Sequence, residues 1–161
     1  MSAKSKKRRT ILDLQAMKAK GEKIAVLTAY DYPFARIMDQ AGIDVILVGD
    51  SVGSVVAGYE NTLPVTMQDM IYHASAVARS AVKSLSVDEM PSLSHQVDLA
   101  EARRNAGRLI KEGGAPAVTL EGGAQGAETC RAIVAMEIPV GGHGALTPQS
   151  VQRMGGYLVQ G

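Results

Sequence analysis

The sequence predicts an α/β fold built on a parallel sheet. Short apolar runs alternate with longer segments of helical periodicity along the 161 residues, and strands separated by helices pair in parallel through right-handed crossovers. A hydrophobic share of 46% suits a globular chain with a buried core. Nothing after Ala29 resembles a G-x-G-x-x-G phosphate turn, which counts against a dinucleotide-binding fold. The predicted strands fit either an open doubly wound sheet or part of a barrel.

Each element follows from a local pattern. Thr10 and Thr66 stand where helix N-caps are expected, Pro148 takes the favoured first helical position, and Gly42 ends a helix. Short apolar runs bounded by turn residues are typical of buried strands. In chain order we predict a helix at 10–20, a strand at 24–29, a helix at 33–41, a strand at 45–48, a helix at 66–79, a strand at 85–87, a helix at 97–111, a strand at 117–120, a helix at 127–136, a strand at 138–140 and a short helix from 147.

Composition and charge exclude several functional classes. A net charge of +1 gives no reason to expect nucleic acid as a partner, and no apolar run approaches the ~18 residues of a membrane span. Cys130 is the single cysteine, so it is expected to be a small buried hydrophobe in a reducing compartment. The basic residues 1–9 are expected to form a disordered tail, with the domain at 10–161. We therefore expect a cytoplasmic protein.

Polar side chains follow every predicted strand. The strongest case is the run 48–53, in which an apolar strand ends in Gly49-Asp50-Ser51. Because the carboxyl ends of parallel strands meet at one edge of the sheet, we expect these groups to converge there. Converging carboxylates suit a hard cation such as Mg²⁺, with substrate oxygens completing its octahedron. In strand order the candidates are Tyr30 and Asp31, Asp50 and Ser51, Asp88 and Glu89, Glu121, and His143.

Some of these residues have a structural alternative. Asp31 is expected to be the N-cap of the helix that follows it. Asp50 could cap a loop, although its place after a buried strand favours a site. His143 lies between two glycines, which suggests close approach of a ligand, but it could be a structural histidine. His73 and His95 are expected to be structural.

Several motifs, in order along the chain, resemble those of ketopantoate hydroxymethyltransferase. Any one of them is weak evidence, whereas the ordered set is highly specific and covers nearly the whole chain from Thr10. The motifs are Thr28-Ala29-Tyr30-Asp31-Tyr32, Val48-Gly49-Asp50-Ser51, Thr62-Leu63-Pro64-Val65-Thr66, Leu120-Glu121-Gly122-Gly123, Leu146-Thr147-Pro148-Gln149-Ser150 and the terminal Gly155-Gly156-Tyr157-Leu158-Val159-Gln160-Gly161.

The resemblance implies a (β/α)₈ barrel of the phosphoenolpyruvate mutase type, of which this chain holds about the first five βα units. It implies transfer of a hydroxymethyl group from 5,10-methylenetetrahydrofolate to 3-methyl-2-oxobutanoate, with Mg²⁺ chelating the 2-oxoacid, and a homo-oligomer. On the family pattern Asp50 is a metal ligand and Ser51 binds the substrate carboxylate. Glu121 lies near the metal through water, and His143 lies at the substrate.

The sequence departs from the family pattern at several positions. The family's second metal-binding aspartate aligns with Glu89, and Ser92 replaces a phenylalanine; Asp88 could be the ligand only if the loop shifts by one residue. These two acids could also form a solvated turn. Thr119 stands where the family has a substrate-binding lysine, and Gly144-Ala145 replaces an apolar residue followed by glycine.

Length is the last departure. A full barrel needs ~250 residues, and the sequence has 161. We therefore expect a C-terminally shortened chain whose general base lies beyond Gly161, so that its own activity is doubtful. The alternatives are a non-catalytic remnant of the enzyme and a related lyase acting on another 2-oxoacid.

Overall fold

One parallel sheet forms the centre of the fold in a computed structural model, which describes residues 7–144 and 147–157. The five strands pair in the order β1-β2-β3-β4-β5, and every neighbouring pair is parallel. A doubly wound sheet reverses its strand order, whereas a barrel adds each strand beside the last. The described strands therefore form the first part of an α/β barrel. They are β1 Val26–Thr28, β2 Val45–Val48, β3 Leu85–Glu89, β4 Val118–Glu121 and β5 Val140–His143.

Helices follow the strands in turn, and most begin where the sequence predicts. The side chains of Thr10 and Thr66 both form capping boxes, and the side chain of Asp31 accepts the amide of Phe34, which confirms these three N-caps. The helices are α1 Ile11–Ala19, α2 Tyr32–Ala41, α3 Val52–Val55, α4 Met67–Ala78, α5 Leu99–Arg108, α6 Ala127–Val134 and α7 Val151–Met154, with a π-helical turn at Leu109–Gly113 and 3₁₀ turns at Ala124–Gly126 and Pro148–Ser150.

The fifth strand and one short helix differ from the prediction. β5 lies at Val140–His143 rather than 138–140, because pairing with β4 extends it through two glycines that carry no strand signal of their own. The helix α3 lies in a segment that the sequence indicates to be a loop. Its Gly53 allows close packing, since a Cβ there would lie 2.5 Å from Cγ2 of Val65.

The main core lies between the sheet and the helices. Alternate strand residues point into it, including Ile46 and Val48 of β2 and Val118 and Leu120 of β4, all fully buried. The opposite face of the sheet is the inner face of the barrel. Along the first edge, β1 leaves about half of the Val26 side chain exposed.

Some residues of the predicted tail and of two family motifs lie outside the described part of the chain. Ala145, Leu146 and residues 158–161, with their share of two family motifs, lie outside it, as do residues 1–6 of the predicted tail. Of the remaining tail residues, Arg8 and Arg9 contact the domain: Arg9 forms an ion pair with Asp44 at 2.7 Å, and Arg8 donates to the carbonyl of Ala78. No helix in the described ranges is long and apolar enough to cross a membrane.

Candidate active site

Buried carboxylates gather at the carboxyl edge of the sheet. Asp50 follows β2, Glu89 ends β3 and Glu121 ends β4, with exposures of 1%, 5% and 6%. The backbone amide of Asp50 donates to Oε2 of Glu89 at 2.9 Å. Gly49 permits this approach, because a Cβ at that position would lie only 3.0 Å from the same oxygen. The sequence expectation that these acids converge agrees with this placement.

His143, Glu89 and Glu121 offer ligand atoms close enough to share one metal ion. Its Nδ1 lies 3.6 Å from Oε1 of Glu89 and 3.8 Å from Oε1 of Glu121. One ligand atom from each of the three residues lies within 4.8 Å of the others. Oε1 of Glu121 is buried and has no hydrogen-bond partner among the described residues, and such an oxygen needs a donor or a cation. The arrangement can therefore accept a divalent cation.

The electrostatics of the cluster also favour a cation. Burial and the neighbouring Glu89 carboxylate raise the pKa of Asp50 to about 7. Burial and the charge of Glu121 raise the pKa of Glu89, and burial with the charge of Asp50 raises the pKa of Glu121. Each carboxylate thus makes its neighbours harder to ionise. A bound proton or a bound metal ion relieves this repulsion.

Asp88 lies on the other face of the sheet. Successive strand residues point to opposite faces, so Glu89 enters the cluster and Asp88 faces the helices. A Cβ on Gly113, in the π-helical turn, would lie 3.3 Å from Oδ2 of Asp88. Both carboxylate oxygens are buried without a hydrogen-bond partner in the described part of the chain, and burial raises the pKa of Asp88 well above its ordinary value. The structure does not bring Asp88 to the predicted metal site.

Gln149 is a site residue that strand-end reasoning missed. Its Nε2 donates to Oδ2 of Asp50 at 2.8 Å and to the carbonyl of Met90 at 3.0 Å. Its backbone amide donates to Oε2 of Glu121 at 2.9 Å, and Gln96 donates to its Oε1 at 3.0 Å. One residue thereby fixes two carboxylates that belong to different strands. The signal for it was its place in the Leu-Thr-Pro-Gln-Ser motif.

Ser51 and Thr119 lie close to the cluster, and the hydroxyl group of each already forms one hydrogen bond within the protein. The phenol of Tyr30 donates to Oγ of Ser51 at 2.9 Å, which leaves the serine hydroxyl hydrogen for another acceptor. Thr119 pairs with Glu89 in the sheet register, and its Oγ1 donates to the carbonyl of Gly141 at 2.9 Å. No positive charge comes from position 119.

The histidines that we expect to be structural make backbone contacts. Nδ1 of His73 lies 2.7 Å from the carbonyl oxygen of Tyr30. His95 is buried, and its Nε2 lies 3.2 Å from the carbonyl oxygen of Glu121. Burial lowers the pKa of His95, which favours its neutral form. Both residues therefore support loops that carry site groups.

A cavity of about 620 Å³ opens beside the cluster. The residues that line it include Glu121, Gln149, Arg153 and most of the loop 122–126. This volume lies within the range of small-molecule sites, which are commonly ~300–1,000 Å³. Glu121 of the cluster thus borders a space large enough for an organic substrate.

Comparison with known proteins decides the family. A sequence model of ketopantoate hydroxymethyltransferase matches residues 8–161. The chain belongs to the ketopantoate hydroxymethyltransferase family. It is 68% identical over 155 residues to the 3-methyl-2-oxobutanoate hydroxymethyltransferase of Syntrophotalea carbinolica, covering 96% of this chain and 58% of that protein. It is 67% identical over 153 residues to the protein of the same name from Geobacter sulfurreducens, covering 95% and 57%.

Solved structures confirm the fold. A 2,3-dimethylmalate lyase of the PEP mutase/isocitrate lyase superfamily superposes with a TM-score of 0.63 at 18% identity, covering 91% of this chain and 53% of that one. The phosphoenolpyruvate phosphomutase from Streptomyces platensis subsp. rosaceus gives a TM-score of 0.56 at 22% identity, covering 70% and 38%. The barrel type predicted for this ketopantoate hydroxymethyltransferase family member is therefore correct. The chain spans 58% of the length of its first relatives.

Proposed function

We propose that this chain supplies the metal and 2-oxoacid sites of an enzyme that transfers a hydroxymethyl group from 5,10-methylenetetrahydrofolate to 3-methyl-2-oxobutanoate, giving 2-dehydropantoate. Family membership supports the reaction. The observation that carries the proposal is the buried group Asp50, Glu89 and Glu121 at the carboxyl edge of the sheet. That edge is where barrel enzymes bind substrates.

The residues present fit a magnesium ion. Carboxylate oxygens are its preferred protein ligands, and Glu121 offers one that is buried without a partner among the described residues. In the proposal Asp50 and Glu89 hold the ion and Glu121 approaches it through water. When bound, the ion stabilises negative charge on the keto oxygen of the substrate. Asp88 has no part in this site, because it faces the helices.

The surrounding side chains orient the substrate and the acids. Ser51, fixed by Tyr30, donates its hydroxyl hydrogen to the substrate carboxylate. His143, which is partly exposed at the mouth of the cluster, contacts the substrate. Gln149 holds Asp50 and Glu121 in place through its amide groups. We assign proton removal from C3 to none of these residues, since the acids are committed to the ion.

The proposal extends to location and assembly. The free cysteine, Cys130, agrees with a reducing compartment, and we propose the cytoplasm. We also propose a homo-oligomer whose other partners are small molecules only, the 2-oxoacid and the folate.

Calorimetric titration of the purified chain with 3-methyl-2-oxobutanoate tests the proposal. We expect binding in the presence of MgCl₂ and none in EDTA, because the metal provides the contact to the keto oxygen. The control ligand 3-methylbutanoate, which lacks that oxygen, should not bind under either condition. Equal binding with and without Mg²⁺ would contradict the proposed site.

Replacing Thr119 by lysine is expected to strengthen binding of the 2-oxoacid by at least ~10-fold. A charge-assisted hydrogen bond contributes roughly 1.5–3 kcal/mol, and each 1.4 kcal/mol is a factor of about ten in affinity. Room exists across the sheet, since the neighbour in register is Gly141. Titration of Thr119→Lys and of the neutral control Thr119→Met measures the effect. If both variants bind like the parent chain, position 119 is not part of the substrate site.

A further inference from the structure

A second cavity lies at the amino-terminal edge of the sheet, opposite the acidic cluster. Its volume is about 490 Å³. Gly42 and Ile43 on its wall precede β2, and Lys83 precedes β3. The other charged residues on its wall are Lys7, Arg8, Arg9 and Asp13.

The basic segment that lines this cavity is held against the domain. The amide of Arg9 donates to the carbonyl of Lys83 at 2.8 Å. The guanidinium of Arg8 donates to the carbonyl of Ala78 at 3.3 Å, and Arg9 pairs with the buried Asp44 at 2.7 Å. These contacts tie residues 8 and 9 to the loop before β3. The guanidinium groups of Arg8 and Arg9 therefore have fixed places beside the cavity.

The loop on the opposite wall is fixed as well. The carboxylate of the buried Asp39 accepts the backbone amides of Lys83 and Ser84 at 2.8 Å and 2.7 Å. These bonds use the backbone of Lys83 and leave its ammonium group at the surface. Both walls of the cavity are thus anchored by a buried acid.

The positive charges on the wall exceed the negative ones. The charge of Arg9 is balanced by Asp44. Lys7, Arg8 and Lys83 form no ion pair within the described ranges. Asp13 is the one acid on the wall, and its carboxylate already accepts the amide and hydroxyl of Thr10. Asp13 and Asp39 lie near enough to Lys7 and Lys83 to interact with their charges, but on the cavity wall the cations still outnumber the acids. The excess cations repel one another, and an anion between them reduces that repulsion.

We propose that this cavity is a binding site for a small polyanion carrying two linked phosphate groups. Three cationic side chains, Lys7, Arg8 and Lys83, surround one space, which suits a ligand with several negative charges better than a single carboxylate. Arg8 retains guanidinium donors beyond the one given to Ala78, and a guanidinium fork matches phosphate oxygens. The site lies at the opposite edge of the sheet from the proposed reaction, so it is separate from the acidic cluster.

Inorganic pyrophosphate is the probe for the test, used with protein and buffer from which metal ions have been removed on a chelating resin, so that metal binding plays no part. Titration of the chain should give saturable binding that weakens as NaCl rises, because salt screens exposed charges. Lys83→Gln should weaken the affinity by about 5-fold or more, and Arg8→Gln by a similar factor. Lys111→Gln is the matched control, since Lys111 is an exposed lysine in the π-helical turn, and it should bind like the parent.

Two further results complete the test. Adenosine 5′-diphosphate binding at least as tightly as pyrophosphate, with the same loss in Lys83→Gln, would support the site and place a nucleotide among its ligands. Absence of binding up to 10 mM pyrophosphate, roughly the top of the millimolar range, would overturn the proposal. An equal loss in Lys83→Gln and Lys111→Gln would also overturn it, because it would show attraction to the general surface charge. The parent-like melting temperature expected of Lys83→Gln excludes unfolding as the cause.

Discussion

Replacing Asp50 by asparagine is expected to abolish Mg²⁺-dependent binding of 3-methyl-2-oxobutanoate, with a loss of at least ~100-fold. Removing an outer-shell partner of a metal ligand already costs about 10–100-fold in metal affinity, and we propose Asp50 as a direct ligand. The substitution keeps the size of the side chain and an oxygen that can accept from Gln149. It removes the negative charge and replaces the second carboxylate oxygen with an NH₂ group, which cannot bind a cation. Calorimetric titration with and without MgCl₂ gives the affinity.

The matched control is Asp98→Asn. Asp98 is exposed and serves as the N-cap of α5, where asparagine caps equally well. This variant should bind the 2-oxoacid like the parent chain. The metal-free Asp50→Asn variant should melt no lower than the parent, because it loses a charge that its buried neighbours repel. Retained Mg²⁺-dependent binding in Asp50→Asn would remove Asp50 from the metal site.

The metal-free chain is expected to lose stability as the pH rises from 5 to 8, and Mg²⁺ is expected to restore it. Burial and Glu89 raise the pKa of Asp50 from 3.8 to about 7. Between these values the unfolded chain has released the proton and the folded chain still holds it, so raising the pH favours unfolding. Glu89 and Glu121 face Asp50 and act in the same direction, since burial raises the pKa of each.

Thermal unfolding at several pH values, with and without MgCl₂, measures this effect. We expect Mg²⁺ to raise the melting temperature by several degrees at pH 8 and by less at pH 5, because protons compete with the metal for the carboxylates. In Asp50→Asn, both the melting temperature without metal and its increase on adding Mg²⁺ should depend less on pH. Below pH 5 other acids intervene: although burial opposes it, hydrogen bonds from Ser84 and Lys83 lower the pKa of Asp39. A melting temperature that rises steadily from pH 5 to 8 without metal would contradict the prediction.

The sequence by itself determined the alternation of strands and helices and the edge at which the acids gather. Both depend on local rules. An apolar run such as 45–48 must be buried on both faces, and Asp50, two residues after it, must lie where parallel strands end. The sequence also predicted the helix caps Thr10, Asp31 and Thr66, because a cap forms its hydrogen bond within three residues of its own position.

Tertiary structure alone decided which groups meet. The sequence alone cannot show which of the adjacent residues Asp88 and Glu89 faces the inside of the barrel. Only the pairing of β3 with its neighbouring strands sets that orientation. Gln149 reaches Asp50 across 99 positions of sequence, a contact for which no local pattern exists. The residues 8 and 9 look like part of a free tail until Asp44 and the loop before β3 are placed beside them. Local sequence preferences determine the helices and strands. Contacts between residues that are distant in sequence create both the acidic site and the basic cavity.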